Sequence, residues 1–169
     1  MHRILPAILF LVLAAGMAGT VQANSGVDVV VQADLDGQPI MVSEVPGYFC
    51  QDRDFPAIHC FRTARALEGS IAARASGPSI MAAASSDYVI VYAGLSYSGT
   101  YMYVSQNYDT LFTVAWNDRI RSYRGLNGAS GVFWTDWYAT GDDLTFCCNV
   151  LDPSLPATFD KAITSVYRR

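Results

Sequence analysis

The second half of the chain contains two copies of one unit, at 88–124 and 130–168, each roughly 40 residues long. Both copies open on a short aromatic strand and turn at a glycine, Gly99 in the first copy and Gly141 in the second. A second alternating strand, a polar loop and a closing strand follow in each copy. Such a repeat has to be recognised before any other feature, because missing it misassigns the whole fold. Strand, hairpin, strand and returning strand, twice over, predict a pair of Greek keys that close a two-sheet sandwich.

The N-terminus has the three parts of a secretory signal peptide. His2 and Arg3 give it a positive start, the apolar run Ile4–Ala15 follows, and Val21-Gln22-Ala23 is a small-x-small cleavage site. The apolar run is shorter than the roughly 20 residues that a membrane-spanning helix needs. We therefore interpret residues 1–23 as a signal peptide and expect a secreted, extracellular or periplasmic protein without a transmembrane span. An uncleaved N-terminal anchor is the alternative.

The charge of the chain argues against a nucleic-acid partner. Once Arg3 is removed with the signal peptide, ten Lys and Arg side chains remain against fifteen Asp and Glu side chains, so the mature net charge is −5. Binding to phosphates needs a basic patch, and the only basic cluster is the terminal pair Arg168-Arg169. The rest of the composition is aromatic, apolar and poor in charge, which is typical of a compact β protein and not of a disordered one.

The region between the signal peptide and the repeat divides into a small module and a linker. Asp36-Gly37 lies between two β-prone runs and predicts a hairpin. Residues 63–74 predict a short helix with a threonine cap. The following stretch is small and polar around a Gly-Pro pair, which is typical of a linker. We therefore predict a Cys-containing N-terminal module at 24–75, a linker at 76–87 and a Greek-key domain at 88–169.

Four cysteines, Cys50, Cys60, Cys147 and Cys148, predict disulfides, since an even number in an exported chain is typical of oxidised pairs. We interpret Tyr48–Phe61 as a cross-linked loop. A bond between the neighbours Cys147 and Cys148 would close a strained ring, which favours pairing each of the other two cysteines with one neighbour. If Cys50 instead pairs with Cys60, the two neighbours are left with each other or unpaired. A zinc site is not favoured, because the spacing is not C-x-x-C and the mature chain keeps a single histidine.

Both repeat copies open with an aromatic-x4-aromatic-x-glycine pattern, which predicts a folded hairpin with packed rings at its tip. The first copy matches the pattern fully with Tyr92, Tyr97 and Gly99. The second copy keeps Trp134 and the glycine, but Ala139 stands where the second aromatic belongs, and Tyr138 next to it is a substitute shifted by one residue. Trp134, Trp137 and Tyr138 could also stack on a sugar or a peptide. Such rings more often belong to a core, and we expect them there.

A second pattern, [ND]-[ND]-x-x-[ST]-Ser, occurs at residues 117–122 in the first copy and at 160–165 in the second. Each copy departs from the pattern at one position. Two copies of both patterns, in phase, resemble the βγ-crystallin family over residues 86–169. The resemblance implies an all-β fold, a two-Greek-key βγ-crystallin-like sandwich, here preceded by a small mixed module with one hairpin and one short helix. Secreted Greek-key inhibitors of metalloproteinases are related in fold.

In the βγ-crystallin family, paired copies of the second pattern often bind two calcium ions. Calcium needs about six to eight oxygen ligands, so a carboxylate, a hydroxyl and backbone carbonyls must converge. Arg121 replaces the Ser/Thr of the first motif, Lys161 replaces the second Asn/Asp of the second, and a cation at either position opposes binding. Asp118 and Thr164 stay intact in different copies. If a site takes its carboxylate from one copy and its hydroxyl from the other, the resemblance implies at most one weakly bound calcium ion, and if each site takes both from its own copy, it implies none. The alternative is that these side chains only cap turns.

These features predict a secreted, non-enzymatic binding or structural protein with degenerate calcium motifs. The alternative is a proteinase inhibitor of the Greek-key type, which would present Gln51–Ile58 or Leu126–Ser130 to an extracellular protease. A cell-surface component is the other partner that we consider. No enzyme is predicted, because a Ser-His-Asp or Cys-His mechanism would have to use His59, which is adjacent to the disulfide candidate Cys60.

Overall fold

The computed structural model describes residues 29–75 and 88–169. The predicted signal peptide at 1–23 and the predicted linker at 76–87 lie outside the described residues. The helix α1 covers Ala64–Ala75, and no helix in the described ranges has the length and apolar composition that crossing a membrane would require. The strands are β1 Gln32–Leu35, β2 Gln38–Ile40, β3 Phe49–Asp54, β4 Ala57–Phe61, β5 Tyr88–Tyr92, β6 Tyr101–Val104, β7 Ser122–Leu126, β8 Gly131–Trp134, β9 Asp143–Phe146, β10 Leu151–Asp152 and β11 Ser165–Arg168.

The repeat folds as two interlocked Greek keys. One sheet has the strand order β10-β7-β5-β6-β3-β4-β1-β2, and the other has the order β11-β8-β9. Each copy contributes one segment to the sheet of the other copy. Strand β10 from the second copy pairs with β7 from the first, and Tyr108 from the first copy bridges Val166 in β11. This exchange brings the two copies into close contact, and the two-sheet arrangement confirms the predicted all-β sandwich with one short helix.

The N-terminal module extends the larger sheet. Strands β1 and β2 form the predicted hairpin, with Asp36 and Gly37 both at positive φ, as a two-residue turn of this kind requires. The prediction of a cross-linked loop at Tyr48–Phe61 is wrong, because β3 and β4 form a second antiparallel hairpin there. Strand β3 then runs parallel to β6, with Cys50 opposite Met102, so the module and the repeat share one sheet.

The cysteines are connected differently from the favoured prediction. Cys50 is bonded to Cys60, and Cys147 is bonded to Cys148, whereas we expected bonds between the module and the repeat. The physical reason is the second hairpin. Cys50 and Cys60 lie directly opposite each other in β3 and β4, with their Cα atoms 4.1 Å apart, and both belong to the core. The module is therefore attached to the repeat by contacts other than a disulfide.

The two faces of the larger sheet are covered differently. One face packs against the smaller sheet over the main core, which contains the fully buried Trp116 and Phe133. The other face carries an aromatic band that α1 covers with the fully buried Leu67. The hydroxyl of Thr63 accepts a hydrogen bond from the amide of Ala66, which confirms the predicted helix cap. The band consists of Phe49, Phe61, Tyr88, Tyr92, Tyr97, Tyr101 and Tyr103.

A buried carboxylate joins the module to the repeat. Asp52 in β3 is fully buried and accepts hydrogen bonds from the amide of Ser105 at 2.7 Å, from its hydroxyl at 2.6 Å and from the hydroxyl of Tyr108 at 2.9 Å. Desolvation raises the pKa of Asp52 above its usual range, although these donors oppose the shift. Because Tyr108 also bridges β11, this contact connects the module with both sheets.

Candidate metal centre

The last serine of each calcium motif holds the folded hairpin of its own copy. The hydroxyl of Ser122 donates to a hairpin carbonyl at 2.7 Å and accepts from the amide of Tyr97 at 3.1 Å. Ser165 repeats both bonds in the second copy, with a hairpin carbonyl at 2.6 Å and the amide of Ala139 at 3.3 Å. Both serines are fully buried and therefore structural. Their matching bonds align the two copies residue by residue and place Ala139 in the position of Tyr97.

This match shows how the second hairpin departs from the first. In the first copy the rings of Tyr92 and Tyr97 pack edge to face at 5.6 Å, as the pattern predicts. In the second copy Tyr138 does not replace the missing ring, because its side chain is 65% exposed. Trp137 is 54% exposed, so the expectation that both residues belong to the core is wrong. Ala139, which stands in the position of Tyr97, offers the hairpin tip little surface to pack on. The rings of Trp137 and Tyr138 therefore stay in solvent.

The calcium motifs are bonded to each other across the copies. Asp118 and Lys161, the second residues of the two motifs, both adopt a left-handed backbone, with φ of 57° and 58°. The amide of Asp118 donates to the carbonyl of Ile163 at 3.1 Å, and the amide of Lys161 donates to the carbonyl of Ile120 at 3.0 Å. The second position of each motif is therefore bonded to the fourth position of the other motif, next to its fifth, and this is the crosswise arrangement that the sequence left open.

Arg121, Asp160 and Lys161 form the first of the two crosswise sites, which we call the paired site. The guanidinium of Arg121 donates from Nε to Oδ1 of Asp160 at 2.9 Å and from Nη2 to Oδ2 at 3.0 Å. These hydrogen bonds lower the pKa of the Asp160 carboxyl below its usual range. The guanidinium already neutralises the carboxylate, and Lys161 adds a second cation. The residues of the paired site therefore do not fit a calcium ion.

Asn117, Asp118 and Thr164 form the second crosswise site, which we call the open site. By the internal match, Thr164 takes the place that Arg121 has in the paired site, and Asn117 takes the place of Asp160. Within the described part of the chain, Oδ1 of Asn117 is buried without a hydrogen-bond partner, while its amide nitrogen donates to Oδ2 of Asp118 at 2.7 Å. A buried acceptor without a donor calls for a cation or a water molecule. A carboxylate, an amide oxygen and a hydroxyl are ligand types that calcium accepts, so the open site fits the ion with a single charge.

The open site borders a cavity to which the N-terminal module contributes one wall. The cavity has a volume of about 420 Å³ and is lined by Val42 and Ser43 from the module and by Phe112, Ala115 and residues 117–119 from the repeat. Arg119 donates from Nε to the carbonyl of Ala115 at 2.9 Å, so its side chain is held along this wall. The module therefore shapes the access to the open site.

The interlocked Greek keys, the clamped hairpin and the crosswise motifs together determine the type of fold. Residues 88–169 have a βγ-crystallin-like fold. Similar solved structures include a βγ-crystallin from Ciona intestinalis, which is 18% identical with a TM-score of 0.43 over 48% of this chain and 99% of that chain. A βγ-crystallin domain from Clostridium beijerinckii is 22% identical with a TM-score of 0.43, over 48% of this chain and 95% of that chain. A βγ-crystallin from an archaeon is 19% identical with a TM-score of 0.41, over 50% and 100%. No protein-family model matches the chain, and neither does any curated protein.

The open site of this βγ-crystallin-like domain carries little charge. Within residues 29–75 and 88–169, no three side chains of the His, Cys, Asp or Glu types are arranged so that they could hold a metal ion. The open site has only one carboxylate, that of Asp118, and its other side-chain oxygens are neutral. Calcium affinity rises with the number of charged ligands, so an ion at this position would be held weakly.

His59 lies between two carboxylates, away from both calcium motifs. Its Nδ1 is 2.5 Å from Oδ2 of Asp34, and its Nε2 is 3.1 Å from Oδ2 of Asp54. Asp54 also accepts two hydrogen bonds from Arg74 in α1, and these lower the pKa of its carboxyl. The adjacent Cys60 is held in the disulfide. Since both ring nitrogens face carboxylates, neither is placed to take a proton from a nucleophile.

Sequence reasoning missed two features of the crosswise sites, the buried oxygen of Asn117 without a partner and the ion pair between Asp160 and Arg121. Asn117 and Asp160 are the first residues of their motifs, and aligning the two motif copies sets Asn117 against Asp160 and Arg121 against Thr164. That alignment contains the signal for a pair between Arg121 and Asp160. The alignment identifies this pair only when the crosswise bonds between the two motifs are known.

Proposed function

We propose that this protein is an exported, non-enzymatic binding or structural protein whose βγ-crystallin-like domain has one weak calcium site and one site closed by an internal ion pair. The observation that carries the proposal is the contrast between the two crosswise sites. Arg121 neutralises Asp160 in the paired site, so that site is complete without a metal. Asn117, Asp118 and Thr164 would hold the ion in the open site, where it supplies a cross-link between the two copies when bound.

The calcium part of the proposal is tested by thermal melts of the mature protein with calcium and with EDTA, since a ligand that binds only the native state raises the midpoint. We expect a rise that requires calcium near about 1 mM, the range of weak extracellular sites. Asp118→Asn and Thr164→Val should each remove this rise. Asp143→Asn changes an exposed carboxylate on β9 and is the matched control. A wild type that does not respond, or a rise that survives Asp118→Asn, would exclude the open site.

Export is the second part of the proposal. It is supported by the signal-peptide pattern at 1–23 and by the Cys50–Cys60 disulfide, because such bonds persist in oxidising compartments. N-terminal sequencing of protein recovered from the medium or the periplasm should give a sequence that begins near Asn24. Recovered protein that begins at Met1 would show that residues 1–23 are not cleaved.

A binding role is supported by the hairpin tip of the second copy. Trp137 and Tyr138 are exposed there, and the amide of Tyr138 donates to the carbonyl of Asp109 at 2.9 Å, which fixes the turn. Exposed aromatic side chains on a fixed backbone offer a large contact area at a low cost in conformational entropy. We propose that this tip contacts a cell-surface polysaccharide.

Cosedimentation with cell envelopes tests the tip. The double variant Trp137→Ala/Tyr138→Ala should lose about tenfold in apparent affinity, the scale of an aromatic hot spot. Phe112→Ala removes an equally exposed ring elsewhere and should bind as the wild type does. Equal binding by the double variant would assign the contact to another surface.

The non-enzymatic part is supported by the two carboxylates around His59. On any substrate that the wild type turns over, His59→Ala should retain its rate. A loss of more than about a hundredfold, the usual scale for a lost general base, would favour an enzyme instead.

The inhibitor hypothesis gains no specific support from the first of its two predicted loops. In Gln51–Ile58, the residues Gln51, Asp52 and Ile58 are buried in strands β3 and β4. Only the short tip between these strands would reach a protease. The inhibitor function therefore stays a prediction.

A further inference from the structure

The two disulfides of this protein differ in their surroundings. Cys50 and Cys60 are fully buried, lie opposite each other on paired strands and belong to the main core. Cys147 and Cys148 are consecutive residues in an exposed loop between β9 and β10. A reagent in water can therefore reach the second pair while the first pair is shielded by the fold.

The adjacency of Cys147 and Cys148 limits what their bond can do for the fold. A disulfide stabilises a protein mainly by closing a loop of chain in the unfolded state, and the gain grows with the number of residues enclosed. The Cys50–Cys60 bond spans a sequence separation of 10 and closes the second hairpin. The Cys147–Cys148 bond spans a separation of 1 and connects no two elements. The Cys147–Cys148 bond therefore adds little stability to the fold, but its sulfur atoms lie at the surface, where they can react.

The loop around Cys147 and Cys148 is held by contacts that do not involve the sulfur atoms. The amide of Cys148 donates to the carbonyl of Ala129 at 3.0 Å, and Oδ1 of Asn149 accepts from the amide of Gly128 at 3.1 Å. Both contacts attach the loop to the connector between the two repeat copies. Neither bond uses a sulfur atom, so neither depends directly on the disulfide.

We propose that Cys147 and Cys148 form a redox site that exchanges electrons with dithiols at the protein surface. A thiolate of the dithiol attacks one of the two sulfurs, forms a mixed disulfide and expels the neighbouring cysteine as a thiolate, which takes up a proton. The second thiol of the dithiol then attacks the mixed disulfide, closes its own disulfide and releases the second cysteine as a thiol. Two electrons and two protons pass from the dithiol to the pair. In the reverse direction the pair reduces a disulfide that a partner presents.

Stepwise reduction of the folded, oxidised protein tests the first direction. The protein is incubated with increasing dithiothreitol, alkylated and mapped by mass spectrometry of its peptides. Cys147 and Cys148 should be alkylated at a dithiothreitol concentration about tenfold below the one that opens the Cys50–Cys60 bond, because exposed disulfides are reduced more readily. The circular dichroism should not change at that stage. The proposal is overturned if both disulfides open together, or if Cys147 and Cys148 are alkylated before any reductant is added.

Single variants test the exchange step itself. The selectively reduced wild type, treated with oxidised glutathione, should release the glutathione again as Cys147 and Cys148 close on each other. Cys147→Ser and Cys148→Ser lack the resolving sulfur and should each keep one glutathione per chain. The double variant should take up none and should melt at the wild-type midpoint. A wild type that retains glutathione as the single variants do would show that the two neighbours do not act as a pair.

Discussion

The guanidinium of Arg121 binds the carboxylate of Asp160 through two hydrogen bonds of 2.9 and 3.0 Å, across the boundary between the two repeat copies. Two parallel hydrogen bonds are the geometry in which a guanidinium recognises a carboxylate most strongly. In the open site the corresponding positions hold Thr164 and Asn117. The paired site therefore contains its own cation, while the open site keeps oxygen ligands.

Removing this ion pair should change how the stability of the protein depends on pH. The hydrogen bonds from Arg121 lower the folded-state pKa of Asp160. A carboxyl with a folded pKa below its unfolded value of about 3.9 adds stability above that value, and this stability is lost as the pH falls through the folded pKa. Arg121→Ala should therefore lower the thermal midpoint above about pH 4 and have little effect at the acid end.

Thermal melts across the acid range measure this difference. Arg65→Ala removes an exposed arginine on α1 and is the matched control, which should follow the wild-type pH profile. The pair is partly solvated, so the effect should be small and should shrink in high salt. A decrease that is the same at every pH would mean that Arg121 acts through packing and not through the charge of Asp160.

Arg121→Ser together with Lys161→Asp should create a second calcium site. The two substitutions replace both cations with ligand types of the motif and release Asp160 from its guanidinium. The wild type should bind at most one ion, weakly, and the double variant should bind two. Adding Asp118→Asn to the double variant should return the number to one, because it removes the carboxylate of the open site. Isothermal titration counts the ions in each case.

The same titrations can refute the crosswise assignment. If Arg121→Ser alone recovers a full site, each site draws its ligands from a single copy, and the bonds between Asp118 and Ile163 would not reflect ion binding. Two tightly bound ions in the wild type would exclude the assignment of the paired site as closed.

The strands of the repeat could be predicted because their signals are local. The apolar and aromatic runs of β5 and β6 and the glycine at the hairpin tip lie within a few residues of each other. The pairing of Arg121 with Asp160 could not be predicted in this way, since it depends on the exchange of β10 and the Tyr108 segment between sheets. Such long-range exchange of segments gives no periodic pattern in the sequence. The motifs can therefore be recognised from the sequence, but the pairing of Arg121 with Asp160 cannot.

The second hairpin of the N-terminal module was missed for a different physical reason. The register between β3 and β4 shifts between Gln51 and Asp54, so the strand carries an irregularity at that point. Gln51 and Asp52 are consecutive and both buried, which breaks the alternation that identifies a strand. Without that strand, the sequence does not place Cys50 and Cys60 opposite each other. The predicted disulfides therefore joined each of them to one of the neighbours Cys147 and Cys148, which is wrong.

Asp52 should contribute more than any other single polar side chain of β3 to the attachment of the N-terminal module. Asp52→Ala would leave the amide and hydroxyl of Ser105 and the hydroxyl of Tyr108 without their acceptor in a buried place. The cost of such unsatisfied groups should lower the free energy of unfolding by about 1–3 kcal/mol, as measured by chemical denaturation. Asp143→Ala, which removes an exposed carboxylate on β9, should change it by less than about 0.5 kcal/mol.

Asp52→Asn separates the hydrogen bonds of this side chain from its charge. Desolvation raises the folded pKa of Asp52 above its unfolded value of about 3.9, so the folded state binds the proton more tightly. The contribution of Asp52 to stability is therefore greatest below the unfolded pKa and declines as the pH rises through the folded pKa. An amide keeps an acceptor for Ser105 and does not titrate, so Asp52→Asn should be less damaging than Asp52→Ala and should lack this decline. Denaturation curves of both variants across the acid and neutral range measure the difference, and an asparagine variant as unstable as the alanine variant at every pH would show that the carboxylate itself is required.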